Sequence, residues 1–458
     1  MSMTVAAAKE PVALAHAVRD GLPKDGLFAE REWRISPTPF PLGRKLLKDL
    51  EFLGRVLLKF YQATNLLYRR SREGREPEWV ADWLDRGKPE DLLEMQRHAS
   101  LKNDVPRVIR PDILLTEEGF SITELDSVPG GIGMTGSLGQ VYAGVDESNR
   151  IVGGAEGMIE GFESIFGDAP EMHMLVSEES ATYRPEMEWL ASEIDDERFQ
   201  VHDANFTDFH DGDGVYRFFE LFDLENVSAT KALMDAVRAK QIQMTPAFKP
   251  VMEEKMLLAL LWNRNLHGFW HRELGEAFFQ RLLKHVPHSW VIDPTPLPPQ
   301  GAIPRLNLTD WNQLKGLSQK QRNLILKVSG FSEEAWGARG VHYGSDLSVE
   351  EWSAAVDRAI ESFPRSPYVL QEYHKPRSVD AHWFDFEADE LRAMKGRVRL
   401  CPYYFVTGSW DRARTKLGGV LATVCPADKK IIHGMTEAIL APCTEATAAG
   451  AGAEAGRA

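Results

Sequence analysis

The residues best suited to chemistry lie in one acidic segment that begins at Arg110 and ends at Asp126. Two strand-like runs in this segment flank Glu117-Glu118-Gly119, and a three-residue loop with glycine in the left-handed position is a common hairpin connection. Side chains two residues apart share one side of a strand, so the loop decides which side chains face each other. The predicted pairs are Thr116 with Phe120, Leu114 with Ile122, Asp112 with Glu124 and Arg110 with Asp126.

The facing pair of Asp112 and Glu124 is the most informative part of this hairpin. Like charges directly opposite each other on a sheet are destabilising unless a cation lies between them. A divalent metal would supply that cation, and all-oxygen ligands favour Mg²⁺ or Mn²⁺ over zinc. Such a site completes its coordination with phosphate oxygens and water, which implies a bound nucleotide. A solvated hairpin whose charges are incidental is the alternative that this segment leaves open.

The hairpin is followed by a stretch of small residues, which is predicted to be a loop that leads into a short helix. Ser127, Gly130 and Gly131 could offer hydroxyl and backbone N–H donors to a substrate carboxylate, as a glycine-rich nest does. They are therefore candidate substrate-binding residues. A plain tight turn is the alternative.

Several predicted segments must position these residues. Apolar residues spaced three and four apart predict a helical N-terminal lobe. Strand-like and helical segments then alternate, which predicts an open α/β subdomain and an α/β (α+β) fold class. The predicted divisions are the helical lobe at 1–100, the hairpin and substrate loop at 101–150, the α/β subdomain with its helices at 151–300, a strand-rich part at 301–443, and a low-complexity, disordered tail at 444–458.

The order of these motifs resembles that of the circularly permuted ATP-grasp ligases of the glutathionylspermidine synthase type, over roughly residues 100–435. The metal hairpin of that family reads Arg-x-Asp, eleven residues, then Glu-x-Asn, followed by a loop of small residues. Arg110, Asp112, Glu124 and Asp126 stand at the matching positions, with aspartate in place of asparagine. The resemblance implies that the three carboxylates bind Mg²⁺, as two ions, or Mn²⁺, and that Arg110 orients the reacting carboxylate or phosphate.

The same resemblance predicts a nucleotide site in the part at 301–443 and the helices before it. It implies that Lys255 and Lys327 hold ATP phosphates. It also implies that Gln371 and Glu372 form the hinge strand that reads adenine. The residues leave blander alternatives open: a carboxylate partner for Lys327, a solvated helix face for Lys255, and a simple strand end for the Gln-Glu pair.

Two further features follow from the resemblance. A flexible loop that contains Gly340 is expected to close over the phosphates and to be mobile without nucleotide. The family's catalytic arginine on a late strand is missing from the stretch 418–426. Arg399 on the preceding strand is assigned this role, with Arg397 as the alternative.

The resemblance implies an ATP-dependent ligase that activates a carboxylate as an acyl phosphate and joins it to an amine. The partners would be a small-molecule or peptide carboxylate and an amine. The same residues could also serve an ATP-dependent small-molecule kinase or a non-catalytic nucleotide-binding protein.

Composition excludes several other classes. The net charge of −15 argues against a nucleic-acid partner, because such proteins carry a basic face. No run approaches the roughly 18 apolar residues of a membrane span, so a cytoplasmic protein without membrane contact is expected. The three cysteines lack zinc-site spacing. The sequence does not indicate an oligomeric state.

Overall fold

The computed structural model describes residues 3–24, 28, 32–335, 339–429, 432 and 436–446. The chain folds into two compact units. Unit 1 comprises Met1–Leu58, Pro106–Ala247 and Pro376–Ala458, and unit 2 comprises Lys59–Val105 and Phe248–Lys375. The predicted lobe at 1–100 is therefore divided between the units, and the predicted boundary near residue 300 falls inside unit 2.

Helices and strands are mixed along the chain, which confirms the predicted α/β (α+β) class. The helices are α1 (Met3–Gly21), α2 (Arg44–Arg72), α3 (Glu78–Asp85), α4 (Glu90–Arg97), α5 (Ile132–Val145), α6 (Gly157–Glu163), α7 (Arg184–Ile194), α8 (Thr230–Arg238), α9 (Met256–Trp262), α10 (His267–Leu274), α11 (Glu276–His285) and α12 (Val349–Ser362).

The strands are short except in the last part of unit 1. They are β1 (Phe40–Leu42), β2 (Val108–Thr116), β3 (Gly119–Asp126), β4 (Met172–Val176), β5 (Phe199–Asp203), β6 (Gly214–Phe218), β7 (Gln243–Thr245), β8 (Ser289–Val291), β9 (Leu324–Val328), β10 (Val341–Tyr343), β11 (Tyr368–Glu372), β12 (Ser378–Asp385), β13 (Glu390–Thr407), β14 (Arg414–Pro426) and β15 (Ile439–Glu445).

The main sheet of unit 1 is built around β13. Among the described residues its strand order is β1-β15-β14-β13-β2-β3, and β12 pairs with the first half of β13. Strand β2 lies antiparallel to β13, with Arg399 opposite Leu114. Val108 pairs with Phe405 and Leu114 with Arg399, so the hairpin β2–β3 is held beside a strand that follows it in the chain by more than 260 residues.

A second sheet of unit 1 is parallel, in the order β5-β4-β6-β7. Its central strands β4 and β6 are buried throughout, as expected for parallel strands covered on both faces. Strand β4 and helix α7 belong to the alternating strands and helices that the sequence predicts within 151–300. Met174, Tyr216 and Phe162 belong to the apolar core beside this sheet.

The sheet of unit 2 is antiparallel, in the order β10-β9-β11-β8. Its core contains Trp352, Leu326 and Leu370. Helix α12 begins with a capping box, in which the Ser348 hydroxyl accepts from the Glu351 N–H (3.1 Å) and the Glu351 carboxylate accepts from the Ser348 N–H (2.8 Å). This cap fixes where the amphipathic helix starts.

The C-terminal part of the chain is ordered further than the sequence predicts. Strand β15 continues to Glu445, so Thr444 and Glu445 are paired residues and the tail predicted at 444–458 begins too early. Residues 447–458 lie outside the described part, as do 336–338 of the loop expected to be mobile. No helix in the described ranges is long and apolar enough to cross a membrane.

Lys249 provides a test of the fold of unit 2. Its side chain is 2% exposed and donates to the carbonyl oxygens of Leu101 (3.1 Å) and Asp104 (2.9 Å) and to the side chain of Asn65. Lys249→Met leaves three acceptors, two of them buried, without this donor, so we expect the free energy of unfolding to fall by about 3 kcal/mol. Chemical denaturation measures this loss. Lys284→Met, at an exposed position of α11, is the control; an equal effect of both substitutions would contradict the prediction.

Candidate functional site

The hairpin β2–β3 has the predicted register at its open end and a different one near its turn. Asp112 pairs with Glu124 and Arg110 with Asp126, as predicted. The other two predicted pairs are wrong, because Ile113 faces Ile122 and Thr116 faces Gly119. The turn is one residue shorter than predicted, and an irregularity at Thr123 adds one residue back. The two differences cancel before the acidic pairs are reached.

Asp112 is the centre of a cluster of charges in unit 1. Its Oδ1 forms an ion pair with Arg110 (3.1 Å), and its Oδ2 accepts a hydrogen bond from Arg399 (3.1 Å), although Arg399 follows it by 287 residues. Arg110 also binds Asp126 (2.7 Å) and the Gly130 carbonyl (3.3 Å). Asp112 is only 8% exposed, so this carboxylate depends on its partners.

The sheet explains why these side chains meet. Residues 110, 112 and 114 of β2 share one face by the period of two, and Arg399 lies opposite Leu114. Cys401 and Tyr403, two and four residues further along β13, extend the same face: the Cys401 thiol lies 3.6 Å from Asp112 Oδ1, and the Tyr403 hydroxyl donates to the Gly130 carbonyl (2.7 Å). One face of two neighbouring strands thus collects the cluster.

Burial shapes the charges of the cluster. It raises the pKa of Asp126, against the opposing effect of Arg110, while Asp112 and Glu124 add to the increase. Burial also opposes the charge of Arg110, but Asp112 and Asp126 together hold the pKa of this guanidinium above its usual value. Burial raises the pKa of the Cys401 thiol to about 11, so this cysteine is a neutral thiol and not a nucleophile at neutral pH.

Two of the three predicted metal ligands, Asp112 and Asp126, are paired with arginines in this structure. In the described ranges, no group of three or more His, Cys, Asp or Glu side chains is arranged to hold a metal ion. Arg110 and Arg399 supply the positive charge beside Asp112, which the sequence argument had assigned to a metal. The metal-binding roles of Asp112, Glu124 and Asp126 therefore stay predictions.

The predicted substrate loop is occupied by a carboxylate of the chain itself. Glu186 of α7 is 1% exposed and accepts from the Met134 N–H (3.0 Å), and the N–H groups of Gly131 and Gly133 also bind it. Glu186 is thus a carboxylate in a glycine-rich nest, as predicted for a substrate. Sequence reasoning missed it, because nothing in the helix containing Glu186 indicates its partner.

Gly130 and Gly131 are also required by close packing. A Cβ atom at Gly130 would lie 2.4 Å from the Tyr183 ring, and one at Gly131, whose φ is +85°, would lie 2.6 Å from the Tyr403 hydroxyl oxygen. The buried Ser127 hydroxyl has no hydrogen-bond partner within the described part of the chain. The loop therefore combines the tight turn and the nest that the sequence left as alternatives.

In unit 2 the structure joins two of the predicted nucleotide-binding residues. Lys327 on β9 is 5% exposed, and its Nζ donates to the side-chain oxygen of Gln371 on β11 (3.1 Å). The Gln371 amide donates in turn to the Ser289 hydroxyl (3.1 Å). The two residues meet because β9 and β11 are neighbours, with Lys327 opposite Val369.

Lys255 contacts both sides of the loop predicted to close over phosphates. Its backbone N–H donates to the Ser329 carbonyl (2.8 Å) and its Nζ to the Ala335 carbonyl (2.9 Å). Gly340 closes the same loop through a hydrogen bond from its N–H to the Glu334 carbonyl (2.8 Å). A Cβ atom at Gly340 would lie 2.7 Å from that carbonyl oxygen, so the position favours glycine.

The predicted adenine-binding strand is largely committed to the sheet. The Glu372 N–H donates to the His288 carbonyl (2.9 Å), and the Tyr373 N–H donates to the Asn323 carbonyl (3.1 Å). The Glu372 carboxylate pairs with Arg305 (3.0 Å). These two N–H groups are therefore already hydrogen-bonded, and a base at this strand would have to bind other groups.

Comparison with known proteins places the fold. No protein-family model matches the chain, and no curated protein matches it significantly in sequence. Among solved structures, a glutathione synthetase-like effector from Globodera pallida, in its apo form, matches 94% of this chain and 96% of its own with a TM-score of 0.57 and 11% identity. A protein from Methylobacillus flagellatus, assigned as a gamma-glutamylcysteine synthetase, matches 79% of this chain and 87% of its own at 10% identity. Its TM-score of 0.38 is too low to indicate a shared fold.

The first of these likenesses spans nearly the whole of both chains, so the chain has the fold of a glutathione synthetase-like protein. At 11% identity it shows the fold alone. It does not test which side chains act.

Glu186 makes a prediction about pH. Burial raises its pKa from 4.5 to about 7, against the N–H groups that bind the charged form. The folded state therefore favours the protonated carboxyl, and this stabilisation is full below pH 4.5 and is lost as the pH rises to about 7. The difference corresponds to about 3 kcal/mol. We expect Glu186→Gln, which keeps an acceptor for the Met134 N–H, to remove this decline.

The measurement is the free energy of unfolding from denaturant titrations at several pH values between 4 and 8. Glu188→Gln is the matched control, because Glu188 lies on the same helix with an exposed side chain (56%). Equal slopes for wild type and Glu186→Gln would show that Glu186 does not titrate in this range.

Proposed function

We propose that the chain is an ATP-dependent ligase that joins a carboxylate to an amine through an acyl phosphate and releases ADP and phosphate. The observation that carries the proposal is the convergence of Arg110 and Arg399 on Asp112, beside Asp126, on one face of the main sheet of unit 1. The fold it shares with a glutathione synthetase-like protein supports the same chemistry. A circularly permuted ATP-grasp arrangement is part of the proposal.

The arginine pair suits the charge that such a reaction develops. Transfer of the γ-phosphoryl group places negative charge on oxygens of the phosphate and of the acyl phosphate, and guanidinium groups fixed in a protected site stabilise it. Arg110 and Arg399 are both 14% exposed in their side chains, and shared carboxylates hold them in place. In the proposal Arg110 orients the reacting carboxylate or phosphate, and Arg399 stabilises the transferred group.

The register favours Arg399 over Arg397 for this role. Arg399 lies opposite Thr423, inside the stretch of β14 where the resembling family carries an arginine and this chain has none. Arg397 lies opposite Cys425, and its guanidinium donates to the Lys429 carbonyl instead (3.4 Å). In the proposal a neighbouring strand thus supplies the missing guanidinium.

The proposal assigns the nucleotide to unit 2. Lys327 and Lys255 would bind ATP phosphates, and each now donates to a neutral oxygen that a phosphate oxygen could replace. Gln371 and Glu372 would contribute to adenine binding through side chains or carbonyl oxygens, since the N–H of Glu372 is already engaged. Gly340 would allow the loop to close.

The proposal includes Mg²⁺ or Mn²⁺, because carboxylate oxygens such as those of the hairpin are the usual protein ligands of these ions. In the present arrangement the oxygens of Asp112 and Asp126 are engaged by Arg110, Arg399, the Cys401 thiol and the Val128 N–H. The described residues therefore do not form a metal site as they stand. We assign no step to the metal.

Glu124→Ala tests the ligase reaction. We expect wild type, incubated with ATP, Mg²⁺ and pools of amino acids, small peptides and polyamines, to form a product at the summed mass of an acid and an amine minus water, together with ADP. Loss of the carboxylate opposite Asp112 should abolish this product. Mass spectrometry identifies the product, and omission of Mg²⁺ tests the metal. Glu118→Ala, on the exposed turn of the same hairpin, is the control and should keep activity.

The outcomes separate the candidate functions. ADP with only a phosphorylated product would indicate a kinase. ATP binding without turnover in any pool would indicate a nucleotide-binding protein, and a Glu124→Ala variant as active as wild type would remove the metal hairpin from the mechanism.

Arg399→Met tests the arginine assignment. We expect kcat to fall about 100-fold or more, as when one preorganised group that stabilises the transition state is removed, with a smaller change in KM. Arg397→Met, two residues away on the same strand, should change kcat little. Steady-state kinetics measure both, and a larger loss for Arg397→Met would reverse the assignment. Thermal unfolding of each variant checks that the fold is intact.

A further inference from the structure

A buried ion pair lies directly beside Lys255 in unit 2. The Lys88 ammonium contacts the Glu254 carboxylate at 2.6 Å, and the two side chains are 1% and 2% exposed. Lys88 comes from the turn between α3 and α4, far from Glu254 in sequence. Nothing in the reaction proposed above uses either residue.

The pair continues into a network that holds the start of α9. The Ser329 hydroxyl donates to the other oxygen of Glu254 and accepts from the Met256 N–H (2.9 Å). The Ser329 carbonyl accepts from the Lys255 N–H (2.8 Å). Lys88 is thus linked, through Glu254 and Ser329, to the backbone N–H groups of Lys255 and Met256. Ser329 directly follows β9, so the network also reaches the end of that strand.

Close backbone contacts fix both ends of this network. Gly87 has a φ of +70°, and a Cβ atom there would lie 1.9 Å from the Arg365 carbonyl oxygen, so only glycine lets the turn before Lys88 approach this closely. A Cβ atom at Gly330 would lie 2.9 Å from the Glu254 carboxyl carbon. The first residues of the loop are therefore packed against the carboxylate that Lys88 holds.

Stability alone gives no reason for this arrangement. Removing two charges from water costs about as much as their attraction returns, and an apolar pair of similar volume is often as stable. In some proteins a buried pair instead specifies one arrangement of the segments that it joins. Here the joined elements are Lys255 and residues 329–330, at the beginning of the loop that contains Gly340.

We propose that Lys88 is a positioning residue for the phosphate end of the nucleotide site, and that it acts through Glu254 on Lys255 and Ser329. The proposal rests on the function proposed above, since it presumes that unit 2 binds ATP. It gives the segment 59–105 a role in nucleotide binding that its sequence does not indicate. Lys88 does not touch the nucleotide; it sets the position of the groups that do.

The test compares two ligands that differ in their phosphates. We expect Lys88→Met to weaken ATP binding by about tenfold or more, as when the support of a ligand-binding residue is removed. Adenosine binding should stay within about twofold of wild type, because adenosine has no phosphate for Lys255 to hold. Isothermal titration calorimetry of the full chain measures both. Arg97→Met, which removes the ion pairs of Arg97 with Asp85 (2.7 Å) and Glu90 (3.2 Å) in unit 2, is the control and should change neither affinity.

A second variant guards against simple misfolding. Lys88→Met with Glu254→Gln removes both charges and keeps an acceptor for the Ser329 hydroxyl, so it avoids an unpaired buried charge. It should fold as wild type by circular dichroism and thermal unfolding, and show the same selective loss of ATP binding. ATP binding equal to wild type in this double variant overturns the inference, as does an equal loss for ATP and adenosine. Failure of wild type to bind ATP would instead overturn the proposed function, and the inference with it.

Discussion

The buried carboxylate of Asp112 is the constraint on which much of unit 1 depends. An ion pair this poorly exposed cannot be broken cheaply, because the loss of one partner from a buried pair costs about 3–5 kcal/mol. Its partners come from β2 itself and from β13, so the two strands must lie side by side in one register. Strand β13 also pairs with β14 and, over its first half, with β12. The charge cluster therefore forms only when β2 and β13 are neighbours in the sheet.

The glycine-rich loop depends on the same strands. The Arg110 guanidinium and the Tyr403 hydroxyl both donate to the Gly130 carbonyl, which ties the loop to β2 and β13. On its other side the loop binds Glu186, so α5 and α7 are joined at the same point. The loop is thus a junction between the charge cluster and the helices beside the parallel sheet.

The sequence predicted most where local rules decide the structure. The facing of Asp112 and Glu124 follows from strand alternation and a turn, and it is correct even though the turn and the irregularity at Thr123 were not foreseen. The contact of Lys327 with Gln371 was not predicted, because it depends on which strands become neighbours. For the same reason, the residues around Asp112 do not indicate its contact with Arg399, and those around Gly131 do not indicate the contact of the loop with Glu186. Such contacts join segments whose separation in the chain carries no periodic signal, and burial then gives them their strength.

Glu186 has a consequence for any acid that is to reach the glycine loop from solution. A carboxylate tethered beside its binding groups acts at a high effective concentration, so a free acid would meet an intramolecular competitor. The competitor is weakened by protonation, because burial raises its pKa to about 7. The affinity of the loop for an external carboxylate would therefore depend on the free energy needed to displace the Glu186 side chain from the loop. An acid would have to bind more tightly than Glu186 before it could occupy the loop.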